Sequence, residues 1–270
     1  MLTNDIDNEL KKAQKYNQKH AYKSCKKYFQ ERKIGKYPCL IIPKESDKAI
    51  LFIHGGMNNC WDSECLIAKW YAHYSSMEVW YPIYPACTEV SIVETVHVLY
   101  EVYKEMLKQY DASKIAIIGD SFGGMYAFEI LHLINMYHEV PMPKLLIANS
   151  PAGFSKDEIG WNQMKQYSKF DFMISFQDMK MSEKIIKTFG QIPDYALYPA
   201  CQNFSDVCQT YVYYTRETCA GNAVEYVKAY KKCGSKDKIH IHIQPHRAHG
   251  FSCMPIFKEY REQIQLLKGM

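Results

Sequence analysis

Ser121 stands in the run Gly119-Asp120-Ser121-Phe122-Gly123, directly after four apolar residues (115–118), three of them β-branched. An amphipathic run over residues 125–136 follows. The pattern predicts a buried strand, a sharp turn and a helix, the setting in which Gly-x-Ser-x-Gly forms a nucleophile elbow. Small residues on both sides of the serine let the backbone fold tightly beneath it. The hydroxyl then projects above the sheet, and the positive end of the helix faces any charge that develops there.

A serine nucleophile needs an oxyanion hole, a base and an acid. Upstream, residues 49–53 form a second buried-strand run that ends in His54-Gly55-Gly56-Met57. Glycines after a strand end allow close backbone approach, so the amides of Gly55, Gly56 and Phe122 are the expected oxyanion donors. His54 is read as a support of that loop. Near the C-terminus, residues 238–244 alternate Ile239, Ile241 and Ile243 with His240 and His242, the period of a half-buried strand. His249-Gly250 in the loop behind it supplies the expected base, with His246 as competitor. These histidines have no Cys or carboxylate cluster beside them, and no metal site is expected.

The acid falls between serine and histidine in chain order. Residues 208–214 read as a strand running into Thr215-Arg216-Glu217, and a helix is expected over residues 220–233. Glu217 therefore sits at a strand's C-terminal end and can accept from the imidazole. Asp206 and Asp237 precede strands, at the wrong end of the sheet. Met57, Trp61 and Tyr84 are read as substrate-pocket residues.

With His-Gly-Gly ahead of Gly-Asp-Ser-x-Gly-Gly and His-Gly-Phe near the end, the chain resembles the hormone-sensitive-lipase-like esterases of the α/β-hydrolase fold. Tyr81 and Pro85 match that family's Tyr-x-x-x-Pro segment, and Thr215-Arg216-Glu217 matches its Gly-Thr-Arg-Asp/Glu stretch. Met57 stands in place of a third glycine, Trp80 in place of an Asp, and Tyr214 in place of a glycine. The resemblance implies an α/β fold with a mostly parallel eight-stranded sheet and a small helical cap. It implies no cofactor, and hydrolysis of small-molecule carboxylic esters with short acyl groups through an acyl-enzyme. An amidase or peptidase on the same triad, or a non-catalytic ligand-binding relative, is the alternative.

The elements that must position these residues follow from the rest of the pattern. Strands are expected over 78–83 and 144–148, and Ile92, Val96, Leu99, Tyr103, Met106 and Tyr110 mark a helix packed on the sheet. Alternating strands and helices predict a layered α/β domain over residues 1–270, with its site at the strands' C-terminal ends. Residues 152–202 carry scattered apolar side chains from Trp161 to Met179 and are expected to form a cap insertion. Residues 1–36 hold nine lysines and one arginine against four carboxylates, in a chain of net charge +4. They are expected to be a basic cap or arm.

The chain is 47% hydrophobic and 23% charged, which excludes a disordered protein. No apolar run nears the roughly 20 residues of a membrane span, so stable membrane insertion is not expected. The N-terminus lacks a signal-peptide layout, and a cytoplasmic protein is expected. No nucleic-acid motif accompanies the basic segment, so no nucleic-acid partner is expected, and a homodimer is left open. The ten cysteines show no CxxC pair and read as buried free thiols.

Overall fold

The structure, a computed structural model, describes residues 6–8, 10–15, 29–57 and 62–270. Eight strands form one sheet: β1 (Gln30–Ile34), β2 (Tyr37–Ile42), β3 (Ala49–Ile53), β4 (Glu78–Pro82), β5 (Ile115–Asp120), β6 (Leu145–Asn149), β7 (Gln209–Thr215) and β8 (Ile239–Gln244). Their spatial order is β1-β2-β4-β3-β5-β6-β7-β8. β1–β2 and β2–β4 are antiparallel pairs, and every later pair is parallel. β3 and β5 lie side by side in the middle, which is why their residues are buried on both faces and why they read as unbroken apolar runs.

Alternation along the strands divides the core in two. Leu51, Ile53, Ile115 and Ile117 face the side covered by α2 (Ile92–Met106) and α3 (Phe122–Tyr137). Ile50, Phe52, Ala116 and Ile118 face α1 (Asp62–Ser75) and the C-terminal helix α7 (Lys258–Lys268). The spacing seen in the sequence places Ile92, Val96, Leu99, Tyr103 and Met106 on the buried face of α2. Ser91 starts that helix by accepting the Glu94 amide at 3.2 Å.

Between β6 and β7 lie α4 (Glu158–Tyr167), capped by Asp157, and α5 (Phe176–Lys187), opened by a Ser175–Asp178 capping box. α4 packs on the turn of 3₁₀ helix over Thr218–Asn222, where a Cβ on Gly221 would stand 2.6 Å from the Met164 backbone. That turn separates Glu217 from α6 (Ala223–Lys232), so the expected helix over 220–233 begins three residues later.

Two expectations need correction. Residues 30–34, assigned to the basic arm, are the edge strand β1, because the hairpin at Gly35 (φ 58°) returns the chain along β2. Of that expected arm, residues 1–5, 9 and 16–28 lie outside the described residues. Cys65, in α1, is disulfide-bonded rather than a free thiol, whereas Cys39, Cys87, Cys201, Cys208, Cys219, Cys233 and Cys253 are free. Among the described residues no helix is long and apolar enough to cross a membrane.

Candidate active site

The turn between β5 and α3 holds Ser121 at φ 53°, ψ −118°, a conformation that non-glycine residues seldom adopt. Serine at a helix start ordinarily accepts a backbone N–H, from an extended conformation. At positive φ the Ser121 side chain makes no such capping bond, so its hydroxyl is free for other chemistry. The flanking glycines are steric requirements. A Cβ on Gly123 would stand 2.2 Å from the Ile53 carbonyl oxygen, and one on Gly119 would stand 2.3 Å from that of Gly123. The elbow is thereby pressed onto the end of β3, beside the loop that starts at His54.

Glu217 and His249 meet across 32 positions of sequence, Glu217 Oε2 with His249 Nδ1. Glu217 is 1% exposed, and its other oxygen accepts from the Ser150 hydroxyl (2.6 Å) and the Thr215 amide (3.2 Å). Ser150 itself accepts the Gly250 N–H at 3.1 Å, which ties the loop of the base to the anchor of the acid. Burial would lower the His249 pKa, but the Glu217 charge and hydrogen bond outweigh it and raise it to about 9. His249 Nε2 is buried with no hydrogen-bond partner, and His249 and Ser121 line the same cleft of about 750 Å³. Gly56, Met57, Phe122, Ile174 and Met179 line it as well. His246 is exposed at φ 59° outside this cleft, and Asp206 precedes β7, at the opposite end of that strand from Glu217, so neither competes.

His54 is 1% exposed, with its ring stacked on Tyr84 at 4.1 Å and its Nδ1 2.7 Å from the Gly55 carbonyl oxygen. The Tyr84 hydroxyl donates to the His54 carbonyl. Tyr84 is therefore a brace beneath the loop, and its assignment to the substrate pocket is corrected. Trp61 lies outside the described residues.

The Gly55 amide is also reassigned. It donates to Glu64 Oε2 at 3.0 Å, so it is committed before any substrate arrives, while Gly56 (φ 86°) and Phe122 stay at the cleft wall.

Three functional neighbours escape the sequence pattern. Ser150, at φ 46° after β6, is the link between acid and base loops, and its only signal is a polar Asn-Ser-Pro end to a buried strand. Glu64 and Asp120 are the others, both buried beside Ser121. A Cβ on Gly55 would lie 2.9 Å from Glu64 Oε1, 3.2 Å from Asp120 Oδ2 and 3.2 Å from the Ser121 Cβ. Burial and the Asp120 charge push the Glu64 carboxyl up to about 8, and burial pushes Asp120 up to about 6.

A family model described as alpha/beta hydrolase fold matches residues 50–252. No curated protein matches the chain. Among solved structures, an esterase from the bacterial hormone-sensitive lipase family superposes with TM-score 0.77 at 18% identity, over 89% of this chain and 83% of that one. The hormone-sensitive-lipase homologue EstE7 from a metagenome library gives 0.76 at 19%, over 99% and 97%. EstE5, a structure from a crystal soaked with p-nitrophenyl butyrate, gives 0.76 at 18%, over 98% and 90%. These neighbours share this chain's fold, the one that the His-Gly-Gly and Gly-Asp-Ser motifs lead us to expect. The chain belongs to the alpha/beta hydrolase fold family.

Proposed function

We propose that this protein is a serine carboxylesterase acting on small esters with short acyl groups. The observation that carries the reading is the Glu217–His249 pair, whose free Nε2 shares one cleft with an uncapped, positive-φ serine. His249 takes the Ser121 proton as the hydroxyl attacks the ester carbonyl. Glu217 holds the imidazole in the required tautomer and stabilises the imidazolium. The amides of Gly56 and Phe122 receive the oxyanion, and each such donor is worth on the order of 100- to 1000-fold in rate. His249 then protonates the departing alkoxide and later activates the water that releases the acyl group from Ser121.

α4 and α5 serve in this reading as the cap, joined to the acid loop by Asp171, which accepts the Thr218 amide at 2.8 Å. Met57, Ile174 and Met179 give the cleft apolar walls suited to a short acyl or alcohol group.

The test is initial rates on p-nitrophenyl esters from acetate to palmitate, with Ser121→Ala as blank. Serine-dependent turnover falling beyond butyrate or hexanoate is the expected result. A folded protein inert on every ester, yet labelled by a fluorophosphonate, would direct the triad to amides instead.

A further inference from the structure

A second cleft, of about 440 Å³, opens beside the Glu217–His249 pair, and the proposed esterase chemistry makes no use of it. Its charged wall comes from the residues next to the acid and base. Arg216 precedes Glu217, and His246 and Arg247 precede His249 by a few positions. Backbone bonds hold the two arginines side by side: the Arg216 amide donates to the Gln244 carbonyl, and the Arg247 amide donates to Thr215 Oγ1, each at 3.1 Å. The other wall is aromatic. The Arg216 guanidinium lies 3.6 Å from the centre of the Phe170 ring, and that of Arg247 lies 5.1 Å from the centre of Phe257.

Neither guanidinium has a carboxylate partner among the described residues, although lysines elsewhere do, such as Lys114 with Asp47 and Lys187 with Glu183. The single carboxylate of the 168–174 segment, Asp171, accepts the amides of Thr218, Met173 and Ile174. A guanidinium set over an aromatic ring still has N–H groups to donate, and its planar fork matches a phosphate or carboxylate. Beside them Phe172 is 78% exposed and Phe170 52% exposed, apolar surface left open among the described residues. His246, held at φ 59°, adds a further donor at the rim.

We propose that this cleft binds an anionic group, phosphate or carboxylate, carried on an apolar or aromatic body. The guanidinium edges take the oxyanion, and Phe170 and Phe172 cover the body. Such an anion comes either free, as an aryl or alkyl phosphate, or as the headgroup of a lipid, and one experiment separates the two.

The test uses the full chain carrying Ser121→Ala, so that binding is read without turnover and independently of the esterase assignment. Phenyl phosphate and inorganic phosphate are titrated calorimetrically. Vesicles of phosphatidylcholine, with and without phosphatidylglycerol, are tested by co-sedimentation. Phenyl phosphate is expected to saturate, at least about tenfold more tightly than inorganic phosphate, and to weaken as salt rises. Arg216→Gln with Arg247→Gln is expected to weaken it about tenfold or more with unchanged circular dichroism. The paired lysine variants, which keep charge but lose the fork, are expected to fall between.

Phosphatidylglycerol-dependent sedimentation that the glutamine variant loses identifies the source as a lipid headgroup. Saturable phenyl phosphate without sedimentation identifies a free anion. Equal binding by wild type and glutamine variant, or no saturable binding of phenyl phosphate and no sedimentation, overturns the proposal. Sedimentation that the glutamine variant retains, with no saturable phenyl phosphate binding, overturns it too, since a basic surface elsewhere would then be the attachment.

Discussion

His54 and His249 each follow a strand of the same sheet and each ring loses solvent, yet their pKa values move in opposite directions. For His54 nothing offsets the loss of solvent except a carbonyl oxygen, and its pKa falls to about 4. For His249 the Glu217 carboxylate overrides the same loss and raises it to about 9. The first imidazole stays neutral throughout the working pH range and serves as a stacked brace with Tyr84. The second gains and loses a proton near neutral and alkaline pH, as a general base must. Position beside a nucleophile does not make a base. A buried carboxylate partner does.

The sharpest way to break this contrast is to remove the reacting groups. Ser121→Ala and His249→Ala are each expected to lower kcat/KM on p-nitrophenyl butyrate on the order of 10⁶-fold, as groups acting as one unit do. Ser121→Ala turning over at a tenth of the wild-type rate would remove the serine from the mechanism.

Glu217→Gln comes next, at about 10⁴-fold in kcat, and it also carries a pH signature. In the wild type kcat/KM should climb as pH rises toward about 9, because Glu217 holds the proton on His249. Without that carboxylate burial is opposed only by the charges of Asp120 and Asp171, so the limb should move to lower pH. The same pair bears on stability. Its contribution is fully present below pH ~6.5 and is lost as pH rises through about 9, so the Tm deficit of Glu217→Gln should shrink at alkaline pH. A limb that stays in place in the variant would show that Glu217 is not the partner that sets it.

What could be read in the sequence follows from how local each signal is. The elbow was legible because strand, turn and helix are contiguous and because Gly119 and Gly123 meet steric limits within a few residues of themselves. β3, β5 and β7 were legible as apolar or β-branched runs, and Glu217 and His249 by their place at strand ends. Ser150 and Glu64 were not, since each acts across the fold on a partner that no periodicity marks. The same non-locality explains the two misplaced residues. Gly55 reads as a free donor until the Glu64 side chain, nine positions on, arrives at its amide. Tyr84 reads as a pocket wall until its hydroxyl is found beneath the His54 carbonyl.

Glu64 tests the loop on the His54 side. Glu64→Leu leaves the buried Gly55 N–H without an acceptor, which costs about 1–3 kcal/mol and should loosen the oxyanion loop enough to lower kcat/KM about 10- to 100-fold. Glu64→Gln keeps a neutral acceptor and should stay within a few-fold of wild type. Its stability should tell more. A carboxyl raised to about 8 costs the wild type progressively as pH climbs from the ordinary value of about 4.5 through 8, so the Tm of Glu64→Gln should gain on wild type across that window and hold its lead above about pH 8. Parallel Tm curves for the two proteins would show that Glu64 ionises normally.

The smallest expected effect lies at His54 itself, and it decides whether the contrast is one of role or only of degree. His54→Phe keeps a flat ring against Tyr84 and loses the contact of Nδ1 with the Gly55 carbonyl oxygen. A lost hydrogen bond of this kind is worth about 0.5–1.5 kcal/mol, so Tm should fall by a few degrees and kcat/KM by less than about tenfold. The pH profile should keep its shape, because an imidazole with a pKa near 4 is neutral wherever the enzyme works and contributes no limb. If His54→Phe instead displaced the limb that Glu217→Gln is expected to displace, the proton that matters would reside on His54. The Glu217–His249 pair would then be a structural ion pair, and the assignments of the two histidines would exchange.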